Sequence, residues 1–180
     1  MEDLHTWRTL SQLLKDQPFR ALDEQSLLRV VRGVVNGLLH LHQSGVVHRD
    51  LQLCNVMVDE QLKVKIIDLG CAFRAQSANN PAQFGTKGYL APEAQLKKKV
   101  FMEPNKLDIW ALGRIIRILY FGSEQDRRMQ EQSEASEYEA ENKSTYLMSE
   151  GLRDFLERCL DPCPQTRASI EELQEHPWLK

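Results

Sequence analysis

The stretch His48-Arg49-Asp50-Leu51-Gln52-Leu53-Cys54-Asn55, followed further on by Asp68-Leu69-Gly70, holds the residue types best suited to chemistry. Asp50, Asn55 and Asp68 bring two carboxylates and an amide, all of them oxygen ligands. Short β-type runs surround them: Val46-Val47, Val56-Met57-Val58 and Val64 to Ile67. Asp50 and Asn55 would then sit on a loop between two strands, with Asp68 just past a third. The three side chains would converge at the mouth of a small sheet. Oxygen ligands of this kind suit Mg²⁺, which takes one or two carboxylates and leaves room for substrate phosphates. Any one of these residues alone reads as an ordinary turn Asp or Asn; their joint spacing carries the argument.

Helices must position this loop. Leu4, Trp7, Leu10, Leu13 and Leu14 predict a short helix over 4–15, interrupted by Pro18. A longer one runs from Asp23 to Gln43, with Leu27, Val31, Val34, Leu38 and Leu41 at helical spacing, and Ser44-Gly45 ends it. Gly33 and Gly37 weaken that helix but permit close packing. Asp59-Glu60-Gln61 predicts the turn of a small hairpin. Residues 71–92 show no period and read as a long loop. From Leu107 to Phe121 the pattern is apolar nearly all round, interrupted by Arg114 and Arg117, which predicts a buried central helix. The stretch 122–145 carries seven acids against three bases and almost no aliphatics, and so reads as a solvated insertion. A helical stripe resumes over 147–160. Ser169 and Glu172 have the spacing of a capping box at the start of a last helix.

Composition excludes several classes. The 180 residues suit one domain, and 42% hydrophobic residues can bury a core. Lys plus Arg is 23 and Asp plus Glu 26, so the net charge of −3 gives no electrostatic case for nucleic acid or a membrane surface as partner. Charges throughout the first thirty residues argue against a secretory signal, and no run approaches the ~18 apolar residues of a membrane helix. Cys54, Cys71, Cys159 and Cys163 form no regular framework, and Cys159, Cys163 and His176 are too few for zinc. They read as reduced thiols, with a cytoplasmic location as the default.

These motifs resemble the eukaryotic protein kinase family of the serine/threonine type. His48-Arg49-Asp50 with Asn55 is similar to its catalytic loop, and Asp68-Leu69-Gly70 to its metal-binding triplet. Gly85-Thr86-Lys87-Gly88-Tyr89-Leu90-Ala91-Pro92-Glu93 is similar to the end of an activation segment. Asp108-Ile109-Trp110, Arg167 and His176-Pro177-Trp178-Leu179 resemble the central helix and the closing segment. The resemblance implies a mainly α (α+β) fold, the kinase C-terminal lobe: a helical bundle with a small β-hairpin carrying the catalytic loop. Residues 1–180 would form that lobe only, with 1–4 as a hinge remnant, 44–70 as catalytic loop and metal triplet, 68–93 as activation segment and 122–145 as an acidic insertion.

The same resemblance implies ATP and Mg²⁺ as cofactors and a protein hydroxyl as substrate. Asp50 would accept or orient the hydroxyl proton, while Asn55 and Asp68 would hold the metal against the phosphates. Thr86 would bond near Asp50. Met57 would lie under the adenine, and the hinge residues Glu2 and Leu4 would line the same nucleotide site. Asp108 would hold the catalytic-loop backbone, Glu93 and Arg167 would form a buried ion pair, and His48 and Leu69 would pack as spine residues. Arg49 would either pair with a phosphorylated activation-segment residue or bond backbone carbonyls. Ser77 is a candidate switch site upstream of Thr86.

Three departures stand out. Gln52 occupies the place of a lysine that the family sets near the transferring phosphoryl group; Gln donates a hydrogen bond but brings no charge. Leu69 replaces the usual Phe. The sequence contains no glycine-rich phosphate loop, strand lysine or partner glutamate, as a chain begun at an internal methionine would lack. A partner or N-terminal lobe would have to supply them, and the chain alone is expected to be inactive. Gln52 and the missing lobe also support another reading, a pseudokinase-like scaffold that works by contacts without phosphotransfer.

Overall fold

A computed structural model describes residues 6–15, 22–74, 85–95, 103–122 and 148–180. The expectations for hinge residues 1–4, Ser77 and nearly all of the acidic stretch 122–145 lie outside them.

The chain is mostly helical, with two small antiparallel sheets. Strand β1 (Arg8–Thr9) leads directly into helix α1 (Leu10–Lys15), so of the helix expected over 4–15 residues 8–9 are strand and residues 10–15 are helix. The cause is local. Thr9 Oγ1 accepts the Gln12 amide at 3.2 Å, and Gln12 Oε1 accepts the Thr9 amide at 2.8 Å. This reciprocal capping box starts the helix at Leu10 and leaves the preceding residues extended. Arg8 and Thr9 then pair with Val58 and Met57.

Helix α2 (Glu24–Gln43) is capped by Asp23, whose carboxylate accepts the Ser26 amide at 2.9 Å. Its stripe of Leu27, Val31, Val34 and Leu38 is fully buried, as the periodicity predicts. After β2 (Val46–Val47), strands β3 (Val56–Val58) and β4 (Val64–Ile66) form the predicted hairpin, and β1 adds to its other edge in the order β1-β3-β4. The Asp59 carboxylate closes the turn by accepting the amides of Gln61 and Lys63 at 2.9 and 2.8 Å. The hairpin lies directly on α2. A Cβ on Gly33 would stand 2.6 Å from Val64 Cγ2, and one on Gly37 2.8 Å from Ile66 Cδ1. Those two glycines are where the helix surrenders propensity for contact with the sheet.

Within the stretch expected as loop, β5 (Phe73–Arg74) pairs with β2, and at its end α3 (Pro92–Gln95) forms a single helical turn. The central helix α4 (Pro104–Phe121) starts three residues before the predicted Leu107, because Pro104 fills the first helical position, where its missing amide is no loss. Helices α5 (Glu150–Cys159) and α6 (Ile170–Gln174) follow. The Ser169–Glu172 capping box has both of its hydrogen bonds. Leu112, Ile115, Ile116 and Leu119 of α4 join α2 and α5 in one core. Burial there pushes the Cys159 thiol far above its ordinary range, leaving it an inert core residue.

The tail closes on α5: His176 Nε2 lies 2.6 Å from Asp154 Oδ2, and Arg158 Nε 2.9 Å from the same oxygen. The hydrogen bond from His176, then that from Arg158, hold the Asp154 carboxyl below its ordinary value of 3.8. Its contribution to stability is therefore whole above about pH 3.8 and is lost as pH falls through the lower folded value. Acid titration of unfolding should show that limb flattened in Asp154→Asn. Gly33→Ala should destabilise the fold by roughly 1–2 kcal/mol in urea unfolding, despite alanine's better helix propensity, because overpacking against Val64 outweighs the gain.

Candidate functional site

The loop that carries His48 to Asn55 is held from below by one buried carboxylate. Asp108, in the first turns of α4, accepts the amide of His48 at 2.8 Å on Oδ2 and that of Arg49 at 2.8 Å on Oδ1. His42 Nε2, from the last turn of α2, donates to the same Oδ2 at 2.9 Å. A backbone so gripped can hold strain, and Arg49 sits at φ 66°, in the left-handed region. The buried His48 ring then braces the next layer. Its Nε2 donates to Ile67 O at 3.0 Å, and its Nδ1 accepts the Asp50 amide at 3.3 Å, which fixes a neutral tautomer. The backbone amide of Ile67 donates to Asn55 O at 2.9 Å. The start of the Asp68 turn is thus tied to both ends of the loop.

Four of the predicted residues meet at Asp50. Thr86 Oγ1 donates to Asp50 Oδ1 at 2.7 Å. Gln52 Nε2 donates to Oδ2 at 3.1 Å. Asn55 Nδ2 donates to the Asp50 carbonyl at 2.8 Å and reaches Oδ2 at 3.4 Å. With its nitrogen committed to Asp50, the buried Asn55 amide keeps its oxygen as the end able to bind a cation.

Asp68 is placed differently. It lies at φ 63°, exposed, and its Oδ1 accepts the Gly70 amide at 3.1 Å. It forms no ion pair among the described residues. One amide oxygen and one exposed carboxylate are a sparse donor set, and no group of three His, Cys, Asp or Glu gathers among the described residues. An amide oxygen and a carboxylate are donor types that Mg²⁺ takes, its other positions going to water and phosphate oxygens.

Met57 is half-buried in β3; Glu2 and Leu4 lie outside the described residues. Leu69, expected to pack as a spine residue, is instead 52% exposed. It belongs to the 3₁₀ turn Leu69–Cys71 just past Asp68, outside the core. Arg49 takes the backbone role: its Nε donates to Cys71 O at 2.7 Å, and the guanidinium lies 5.0 Å from the centroid of the Phe73 ring.

The segment 85–95 roofs one side of the loop. At φ 124°, a Cβ on Gly85 would stand 3.0 Å from Arg49 O, so only glycine brings the chain this near. Further on, Glu93 meets Arg167 in a buried bidentate pair of 2.7 and 3.0 Å. Arg167 also donates to Asp161 O and Lys106 O and lies 5.0 Å from the Trp110 ring centroid. A shallow cleft opens between this segment and α4, lined by Asp50, Thr86, Tyr89, Leu107 and Ala111. Periodicity alone singled out neither Arg114 nor Gly88 for function, yet Arg114 Nε donates to Gly88 O at 2.8 Å. The visible signal was a charge inside an otherwise apolar helix.

The sequence profile of the protein kinase domain matches residues 2–179. This chain belongs to the protein kinase family. It is 31% identical over 169 residues to the serine/threonine-protein kinase cds1 of Schizosaccharomyces pombe, a match covering 88% of this chain and 37% of that protein. It is likewise 31% identical over 163 residues to a Dictyostelium discoideum protein named "Probable serine/threonine-protein kinase mkcB", covering 88% of this chain and 22% of that one. The kinase chain thus spans well under half the length of these curated relatives. No described helix is long and apolar enough to cross a membrane.

The Glu93–Arg167 pair should behave as a structural clasp. Glu93→Ala, which strands a buried guanidinium, should cost about 3–5 kcal/mol in urea unfolding. A double-mutant cycle with Arg167→Met should recover much of that loss, because the stranded charge goes too.

Proposed function

We propose that this chain is the catalytic C-terminal lobe of a protein serine/threonine kinase, transferring the γ-phosphoryl group of ATP to a protein hydroxyl. The observation that supports this most is the clamp on Asp50, whose carboxylate is held by Thr86 from a segment far along the chain while Asn55 closes the loop behind it. In this reading Asp50 orients the substrate hydroxyl and takes its proton. Thr86 and Gln52 keep the carboxylate aimed, and Asn55 and Asp68 hold Mg²⁺. Met57, with Glu2 and Leu4, lines the adenine side. When bound, Mg²⁺ supplies neutralisation of the phosphate charge. The protein's own part is positioning, which in phosphoryl transfer is most of the catalysis. The 180 residues contain no glycine-rich loop and no strand lysine to grip the α and β phosphates from above, so in this reading the chain alone should not turn over.

Gln52 favours a second reading, a scaffold that binds partners without transferring phosphate. It places a neutral amide on Asp50 where a cation would stabilise the transferring group, and losing one such electrostatic contact costs roughly 2.7–4 kcal/mol of barrier.

Radiolabelled phosphate transfer tests both. The purified chain should give no turnover; sustained turnover abolished by Asp50→Ala would refute the split of the nucleotide site. In a form that includes the N-terminal lobe, Asp50→Ala should cut transfer by about 10²–10⁴-fold while nucleotide binding persists. Asp68→Ala, or chelation of Mg²⁺, should abolish the binding itself, read by calorimetry. Nucleotide binding with no transfer in the two-lobed wild type would establish the scaffold.

A further inference from the structure

We infer that Arg114 is a positioning residue for the substrate-facing segment 85–90, and through Thr86 for Asp50. The inference deepens the kinase reading and rests on it for its meaning, though not for its geometry.

Arg114 lies two turns along α4 from Asp108, on a helix whose neighbouring residues Ala111, Leu112, Ile115 and Ile116 are buried and apolar. It is itself only 6% exposed. A guanidinium has no neutral form to fall back on, so burying it is unfavourable unless hydrogen bonds meet it. An aliphatic side chain would fill such a site at less cost. Among the contacts the arginine makes there is one with the segment above: its Nε donates to Gly88 O at 2.8 Å.

Gly88 is a sensitive place to hold. It sits at φ 96°, within the turn that the Tyr89 amide closes on Thr86 O at 3.0 Å. Thr86 in turn donates to Asp50 Oδ1. Tyr89 and Thr86 line the cleft together with Leu107 and Ala111 of α4, so the segment lies across the same helix that carries Arg114. The central helix therefore reaches the site by two separate routes. Asp108 fixes the backbone beneath Asp50, and Arg114 fixes the turn that delivers the Thr86 hydroxyl to it.

Native-state amide hydrogen exchange on the full 180-residue chain tests this without needing phosphate transfer. In Arg114→Met, peptides covering 86–90 should exchange about tenfold faster or more, while those of α5 and α6 keep wild-type rates. Arg114→Lys, which keeps charge and a donor, should restore much of the protection. Unchanged rates over 86–90 in Arg114→Met would overturn the inference. So would an even rise across every peptide, which would make Arg114 a core residue only. Should Arg114→Met fail to fold, Arg114→Gln, which loses the guanidinium that reaches Gly88 O, decides instead: a rise confined to 86–90 supports the role, and no rise or an even one overturns it. In a two-lobed form that transfers phosphate, Arg114→Met should also raise KM for a protein substrate about fivefold or more with KM for ATP unchanged. If that form transfers nothing, the kinase reading fails while the exchange result still stands or falls by itself.

Discussion

One buried carboxylate organises the rest of this molecule. Asp108 accepts two consecutive backbone amides, those of His48 and Arg49, and the His42 imidazole as well. Hydrogen bonds to an ionised group are the strong ones, and inside a protein they are screened little. Adjacent amides both turned toward one carboxylate force the chain into a tight bend, and the left-handed φ of Arg49 is its signature. Once that bend is set, His48 points into the core, and its two ring nitrogens reach Ile67 O and the Asp50 amide. The geometry of Asp50 thus follows from a residue nearly sixty positions away, on a different element.

That dependence explains the layout of the fold. A loop that makes so many contacts at one point needs a rigid base, and ten of the eighteen residues of α4 are buried. It packs between α2 and α5 and carries Asp108 at one end of its buried face. The ion pair of Glu93 with Arg167 anchors the far end of the segment that reaches over Asp50, and Lys106, beside that pair, donates to Arg167 O. Two buried ionic groupings therefore bracket the site, one beneath the loop and one behind the segment. Neither is an efficient source of stability compared with apolar packing. Their value is that charged, directional contacts specify one arrangement of segments that would otherwise be irregular.

Much of this was legible in the sequence because it is local or strongly periodic. The long α2 stripe, the hairpin turn at Asp59, the apolar run of α4 and the Ser169–Glu172 box are each written within a few residues. The parts that were missed depend on distant partners. Strands β1 and β5 are two residues each, too short for a period, and they exist because another strand meets them. The Thr9–Gln12 box was written locally but masked by a leucine pattern that ran through it. Leu69 read as core by analogy, yet its neighbours on the turn past β4 leave it in solvent. For the site, residue types and spacing brought out Asp50, Asn55 and Asp68, and the family resemblance added Gln52 and Thr86. They could not disclose that Gln52 bonds Asp50 directly, nor that a charge within α4 reaches Gly88.

The charge balance at Asp50 sharpens what the site can do. Among the described residues its three donors are neutral: a hydroxyl and two amides. The adjacent Arg49 is directed elsewhere, toward Cys71 O and Phe73. Glu93, a few turns of chain away, is met by a full guanidinium instead. Among the described residues no cationic side chain meets the Asp50 carboxylate at the mouth of the cleft, and Asp68 lies exposed past β4. Such a surface repels phosphate groups on its own and favours a divalent cation. A lysine at position 52 would relieve part of that repulsion; glutamine relieves none. Under the kinase reading, a chain with glutamine at that place would depend on a bound metal for charge neutralisation more heavily than a chain with a cation there.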